Sequence, residues 1–164
     1  MTADREFTVD VNVLIYGEGR NSSSPLHASC RDFLNAVQCH CNAYLVMDYS
    51  GKIIDHYRIK LRGSDYSWKF VQQLMDKGRV RHFHRVRMSG SLRAALASNG
   101  CHGEDRERYV RTAAASHCRI LVTHDRGFET AQRVLRRSPL EVFPRGSTEA
   151  KNLMTGTLCP RCRN

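Results

Sequence analysis

The chain has 164 residues, a formal net charge of +10 and an isoelectric point near 9.6. This length predicts one domain with an ordinary hydrophobic core. No apolar run approaches the roughly 20 residues that span a bilayer, and the first ten residues lack a secretion-signal pattern, so we expect a cytoplasmic protein without membrane contact. The positive charge favours a polyanionic partner, of which nucleic acid is the commonest.

Seven cysteines are spread along the chain. An odd number without a secretion signal favours reduced thiols over a disulfide scaffold. Cys159 and Cys162 have the spacing of half a zinc knuckle, but zinc needs four ligands and the pair Cys39 and Cys41 has the wrong spacing. No role is therefore assigned to this CPRC segment.

The first predicted element is a buried strand over residues 7–16, FTVDVNVLIY, with Asp10 and Asn12 near its end. Ser24 and Pro25 then have the residue types of a helix cap and a first helical position. Apolar residues recur at helical spacing from Leu26 to Cys41. They predict an amphipathic helix.

A second strand, AYLVMD, closes on Asp48, and YSGK is a turn. A helical stripe begins at Ile53 and carries Asp55 in its first turn. The next helix is predicted over residues 64–77, with Gly78 as a left-handed cap.

The segment RVRHFHRVR, residues 79–87, alternates as a strand would, which puts its arginines and Phe83 on one face. Two interpretations stay open. A cationic strand edge can simply prevent edge-to-edge aggregation. Alternatively, it is a surface for phosphates with one aromatic ring that can stack a base.

After a Ser- and Gly-rich connection, the segment 103–117 predicts a helix with acids at its N-terminus. A strand over 119–123 and a helix over 129–137 follow, and LEVF is a last short strand. We therefore expect a single domain over residues 1–145 and a polar, flexible tail over residues 146–164.

Alternating strands and helices predict a three-layer α/β/α fold around a mostly parallel sheet. Ligands of such sheets bind at the carboxyl ends of the strands, where Asp10 and Asp125 are expected. Carboxylates gathered there repel one another unless a cation neutralises them, and hard oxygen ligands favour Mg²⁺ or Mn²⁺.

Two segments, DVN at 10–12 and THDRGF at 123–128, resemble the end signatures of the PIN-domain family of metal-dependent nucleases. GKIIDHY at 51–57 and GEDRERYVRTAA at 103–114 resemble the family's two middle acid segments. The resemblance covers most of residues 7–143. It differs at His56, where relatives of this layout carry the acid next to Tyr.

The resemblance implies a metal-dependent endoribonuclease that cuts single-stranded RNA with one or two Mg²⁺ or Mn²⁺ ions. The implied metal ligands and catalytic acids are Asp10, Asp55, Asp105 and Asp125, with Glu104 beside them as a further ligand. Asn12 and Thr123 would orient carboxylates or water. The basic residues implied to bind phosphates are Arg81, Arg85, Arg87 and Arg126.

Some choices stay open at this point. Asp48 could serve in place of Asp55, and Glu107 in place of Glu104 or Asp105. Each acid could instead be a turn or cap residue. The chain could also be an NYN-type nuclease, or a nucleic-acid-binding module without catalysis that uses its basic strand. Small PIN proteins include toxins held by an antitoxin, but no residue here supports an antitoxin partner or a homo-oligomer.

Overall fold

Five parallel strands form one sheet in the order β3-β2-β1-β4-β5, with helices on both faces. This computed structural model describes residues 3–20 and 23–154. The strands are β1 (Arg5–Val9), β2 (Ala43–Asp48), β3 (Val80–Phe83), β4 (Ile120–Val122) and β5 (Phe143–Arg145). The predicted three-layer α/β fold with a parallel sheet is confirmed.

Nine helices connect or follow the strands within the described residues. They are α1 (Val11–Glu18), α2 (Pro25–Cys39), α3 (Lys52–Lys60), α4 (Ser67–Asp76), α5 (Gly90–Ser98), α6 (Glu104–Ala115), α7 (Arg126–Thr130), α8 (Gln132–Arg137) and α9 (Ser147–Asn152). Ser24 caps α2 with Pro25 at its first position, as the sequence predicts. None of the described helices is long and apolar enough to cross a bilayer.

The central strand β1 is buried from both sides of the sheet and along both edges. Phe7 and Val9 are almost fully buried, and Phe7 packs edge-on against Phe33 of α2. Its register pairs Phe7 with Leu45 of β2 and with Ile120 of β4. The middle of the fold is therefore fixed by one strand whose carboxyl end points into the edge where ligands bind.

The first strand ends earlier than the sequence predicts. It ends at Val9, Asp10 caps the next turn, and the rest of the segment is helix α1. Val11, Val13 and Leu14 are buried on several sides of that helix, so its apolar, β-branched sequence lacks the polar face that would distinguish it from a strand.

The prediction of a flexible tail over residues 146–164 is corrected only for residues 146–154, since the rest lies outside the described residues. Residues 147–152 form α9, which packs against α2, and Ala150 and Met154 are buried. The connection before α6 contains α5, and the predicted helix over 129–137 is divided into α7 and α8. Short helices with few apolar residues give weak periodic signals, and packing against neighbours decides their structure.

Four described cysteines, Cys30, Cys39, Cys101 and Cys118, carry free thiols, whereas Cys41 is disulfide-bonded, so the expectation of reduced thiols is wrong at that residue. The CPRC segment of Cys159 and Cys162 lies outside the described residues.

Candidate active site

The site lies where the connections of the sheet change direction. From β1 the chain moves to β2 and β3 on one side, and later returns to β4 and β5 on the other. The carboxyl ends of β1 and β4 therefore flank a topological switch point, where open α/β sheets bind ligands. Asp10 directly follows β1, and Asp125 lies three residues beyond the end of β4.

Asp10 is held in place by the strand on the other side of that switch point. Its Oδ2 accepts a hydrogen bond of 2.8 Å from Thr123 Oγ1, and its Oδ1 accepts a longer one, 3.4 Å, from the Asn12 amide. The side chain is 4% exposed, and burial raises its pKa to about 6, a rise that Thr123 partly opposes and that the nearby Asp125 increases. Thr123 thus fixes the orientation of the Asp10 carboxylate.

Asp125 caps α7 and is neutralised by Arg106. Its carboxylate accepts two hydrogen bonds from that guanidinium, at 2.8 and 3.0 Å, and one of 2.8 Å from the Gly127 amide. Burial alone would raise the pKa of Asp125, but Arg106 and the Gly127 amide hold it below its usual value. A side chain at Gly127 would collide, since a Cβ there would lie 2.9 Å from both Arg106 Nε and the Gly100 carbonyl oxygen.

A cavity of about 500 Å³ opens beside these two acids. We call it the acid cavity. Its polar lining includes Asp10, Asn12, His56, Glu104, Asp105 and Asp125. The structure therefore gathers, around one space, acids from three separate parts of the chain.

Two of the three acids at the start of α6 line the acid cavity. Glu104 and Asp105 do so, and both form ion pairs with Arg108. Glu107 instead pairs with Arg93 and Arg111 and lines a neighbouring cavity. Of these three acids, Glu104 and Asp105 border the acid cavity and Glu107 does not.

Helix α3 presents His56 to the acid cavity, and Asp55 lies outside it. The Asp55 side chain is 55% exposed and pairs with Arg58. His56 Nε2 lies 3.8 Å from Asp105 Oδ2, and its Nδ1 lies 3.1 Å from the Tyr109 hydroxyl. The buried residues Ile53 and Tyr57 define the inward face of α3, and position 56 is beside that face while position 55 is not.

Asp48, the alternative to Asp55, has a different task. It is 1% exposed, and its carboxylate accepts hydrogen bonds from Ser50 Oγ and from the amides of Lys52 and Ile53. These contacts cap the start of α3, and Asp48 does not line the acid cavity. A cap of this kind is one of the ordinary uses of an Asp after a strand.

Two buried tyrosines form hydrogen bonds with the backbone around the end of β1, and neither was predicted from the sequence. The Tyr57 hydroxyl donates to the Val9 carbonyl oxygen, and the Tyr109 hydroxyl accepts from the Val11 amide at 3.3 Å. Burial raises the pKa of both hydroxyls. Each tyrosine lies on the buried stripe of a helix beside an acid cavity residue, which is the signal that would have identified them.

The donors around the acid cavity suit Mg²⁺ or Mn²⁺ in kind, because carboxylate and amide oxygens are the hard ligands these ions prefer. Their arrangement is not that of a preformed cage: within residues 3–20 and 23–154, no group of three or more His, Cys, Asp or Glu side chains is placed to hold a metal. Arg106 and Arg108 neutralise the acids instead. Metal binding at Asp125 would therefore have to replace the contacts of Arg106.

The predicted phosphate-binding arginines do not share one strand face. Strand β3 ends at Phe83, so only Arg81 lies on it, and Arg81 forms ion pairs with Asp4 and with the buried Glu6. Arg85 forms a long ion pair with Asp48, with 3.9 Å between Arg85 Nε and Asp48 Oδ2. Arg87 and Arg126 are exposed, and the described residues offer neither of them an ion pair.

Phe83 and Arg79 are likewise engaged in the fold. Phe83 is partly buried and contacts the ring of His117 edge-on. Arg79 is buried and donates to the carbonyl oxygens of Val37 and His40 at the end of α2, both at 2.6 Å. Arg79 is therefore committed to the fold, and the Phe83 ring is partly covered by His117.

No protein-family model matches the chain, and no curated protein matches it significantly.

Proposed function

We propose that this chain is a metal-dependent endoribonuclease that hydrolyses phosphodiester bonds of single-stranded RNA. One observation carries the proposal: Asp10 and Asp125 flank the switch point of a parallel sheet and open, with Glu104 and Asp105, into one cavity. Buried or paired acids that converge on a cleft are typical of functional sites. The motifs DVN and THDRGF, which resemble those of PIN-domain nucleases, lie at this cavity.

Each side chain has a definite task in this proposal. Asp10, Asp125 and one or both of Glu104 and Asp105 would hold the metal. On α3, the residue that lines the acid cavity is His56, whereas the sequence predicts Asp55. A bound divalent ion supplies a water of lowered pKa and stabilises charge on the phosphate. Thr123 keeps Asp10 oriented through its 2.8 Å hydrogen bond, and the Asn12 side chain is available to position water.

The choice of nucleic acid as substrate rests on charge. The net charge of +10 attracts a polyanion, and Arg87 and Arg126 are exposed without an ion pair in the described part of the chain. Phosphate contacts of this kind weaken steeply as salt rises. RNA, in preference to DNA, is proposed from the motif resemblance.

The direct test follows cleavage of a labelled single-stranded RNA by the wild type and by Asp10→Asn and Asp125→Asn, with Mn²⁺, Mg²⁺ or EDTA. We expect cleavage that needs metal and falls by about 100-fold or more in either variant, since each removes a charged ligand. Asp76→Asn, at the exposed end of α4, is the matched control and should cleave as the wild type does.

Two further variants separate the neighbours on α3. His56→Ala is expected to reduce cleavage, whereas Asp55→Asn is expected to leave it intact, because only His56 faces the acid cavity. Cleavage that persists in EDTA, or in Asp10→Asn prepared free of contaminating nuclease, would overturn the proposed function.

A second function is favoured by the pairing of Arg106 with Asp125. Arg106 neutralises the proposed ligand Asp125 through two hydrogen bonds. In a nucleic-acid-binding module without catalysis, this arginine would stand in for the charge of a metal ion. Such a protein would bind RNA in a salt-dependent way, would not cleave it with any divalent ion, and would be indifferent to Asp10→Asn.

A further inference from the structure

Three aromatic rings lie together at the ends of β2 and β3, and two of them are stacked. The rings of Tyr49 and His84 lie 4.5 Å apart between centroids and only 25° from parallel. His82 adds a third ring, with its centroid 5.9 Å from that of Tyr49. We call these three residues the aromatic platform.

The aromatic platform lies at the same edge of the sheet as the acid cavity. Tyr49 directly follows the last residue of β2, and its amide donates to the Phe83 carbonyl oxygen at the end of β3. Both strands run parallel to β1, whose last residue, Val9, is directly followed by Asp10. Since neighbouring strands are about 4.8 Å apart, the platform is on the order of 10 Å from the end of β1 across the sheet.

Packing does not explain why an aromatic ring is placed here. The Tyr49 side chain is 62% exposed, and its hydroxyl makes no hydrogen bond within the described residues. His82 and His84 are exposed as well. A large planar ring that contacts two other rings and is still mostly open to solvent can stack on another planar group.

Two cations lie close in sequence to residues of the aromatic platform. Lys52 is three residues after Tyr49, and Arg87 is three residues after His84. Both are exposed, and neither forms an ion pair inside the described ranges 3–20 and 23–154. Exposed rings interleaved with unpaired cations are the combination by which proteins bind single-stranded nucleic acids: bases stack on rings while cations contact phosphates.

We propose that the aromatic platform binds an unpaired base of single-stranded RNA on the free face of Tyr49, with Lys52 and Arg87 contacting the adjacent phosphates. RNA as the strand rests on the proposed function. The strand would run along the carboxyl edge of the sheet, from β3 and β2 towards the acid cavity. The site thus selects unpaired strands, because a base inside a duplex cannot offer its face to Tyr49.

Binding is measured in EDTA, where metal-dependent cleavage is absent, by fluorescence anisotropy of a labelled 12-nucleotide oligo(U). Tyr49→Ala is expected to weaken binding by about tenfold, the effect of losing one base-stacking ring. Tyr49→Phe, which keeps the ring, should bind within about twofold of wild type. Met75→Ala removes a comparably exposed apolar side chain from α4 and serves as the control for a general surface effect.

Salt dependence separates stacking from phosphate contact. Tyr49→Ala should leave the slope of log affinity against log salt unchanged, whereas Lys52→Ala and Arg87→Ala should each reduce it by about 0.7, the value for one contact on a single strand. Oligo(U) carrying one 5-iodouridine, irradiated in complex with the wild type, should cross-link to Tyr49.

Wild-type affinity in Tyr49→Ala, or cross-links confined to other residues, would overturn the platform. Equal affinity for a blunt-ended RNA duplex without a loop would overturn selection of unpaired bases. Failure of the platform is distinguishable from failure of the proposed function, because RNA binding that needs Tyr49 but gives no cleavage in Mn²⁺ supports the platform while refuting the nuclease. Unaltered circular dichroism and melting of Tyr49→Ala exclude misfolding as the cause of a loss.

Discussion

Asp10 carries a cost in stability that comes from its own burial. Its folded-state pKa of about 6 lies above the ordinary Asp value of 3.8, because a buried carboxylate loses its hydration. The folded state therefore binds more protons than the unfolded chain between these two values, and this contribution to stability falls as pH rises through them. Functional sites often keep a buried acid ionised at neutral pH, although this lowers the stability of the fold.

Asp10→Asn is expected to stabilise the protein in EDTA by about 2 to 3 kcal/mol at pH 8, and to give no such gain at pH 3.5, where the carboxyl is protonated in both states. Urea unfolding of wild type and variant at the two pH values measures this. An equal or lower free energy of unfolding for Asp10→Asn at pH 8 would show that the Asp10 carboxylate is not penalised by burial.

His56 and Asp55 illustrate what the sequence could supply at single residues. The motif predicted an acid on α3, and the residue next to Tyr57 was a recognised departure. Helical geometry decides between the two positions, because Ile53 and Tyr57 mark the buried face and position 56 lies beside it. By contrast, the pairing of Arg106 with Asp125 joins residues 19 apart through tertiary packing, and no local pattern predicts it.

At the scale of elements, the start of α3 depends on Asp48. Helix N-termini leave backbone amides without partners, and this carboxylate accepts from those of Lys52 and Ile53. Burial alone would raise the pKa of Asp48, but its hydrogen bonds from Ser50 and these amides keep it below the usual value. Asp48 is therefore ionised and structural, and α3 in turn carries His56 to the acid cavity.

Asp48→Ala should lower the free energy of unfolding by about 2 kcal/mol, since it removes a cap and leaves buried amides unpaired. Binding of Mn²⁺, measured by calorimetry on the folded variant, should stay within about twofold of wild type, because Asp48 does not line the acid cavity and its hydrogen bonds go to Ser50, Lys52 and Ile53, not to a proposed ligand or a residue that orients one. A loss of Mn²⁺ binding without a loss of stability would instead make Asp48 a metal ligand.

The elements also show where sequence patterns succeed and fail. Helix α2 and strand β2 have clear periodicity and turn residues at their ends, and both were predicted nearly to the residue. Strand β3 was predicted over nine residues and has four, because alternation of Arg and apolar residues continues past the point where pairing with β2 ends at Asp48 and Phe83. The length of an edge strand is set by its partner.

At the scale of the whole molecule, a second buried acid acts in the opposite sense to Asp10. Glu6 of β1 is 1% exposed and accepts hydrogen bonds from Arg81, the His117 amide and the His117 ring. Burial alone would raise its pKa, but these partners hold it below 4.5. It therefore contributes stability above that pH, and the contribution is lost as pH falls through the folded-state pKa.

Glu6→Gln is expected to destabilise the protein by about 2 kcal/mol at pH 7, because hydrogen bonds to a charged acceptor are weakened. The difference from wild type should shrink as pH falls below 4.5, as followed by thermal melting from pH 7 to pH 3. Asp76→Asn is the exposed control and should parallel the wild type throughout. A constant difference across this range would exclude Glu6 as a source of acid sensitivity.

The position of β1 in the middle of the sheet has a consequence for how the protein is made. Its neighbour on one side is complete after residue 48, but its other neighbour, β4, begins only at residue 120. A chain emerging from the ribosome therefore carries one unpaired edge of β1 while most of the sequence is synthesised. The hydrogen bond between the side chains of Thr123 and Asp10, which are 113 residues apart, forms only after β4 has been synthesised. Loop closure over such a separation is slow, so any activity of the acid cavity would appear late and would mark a chain folded through β4.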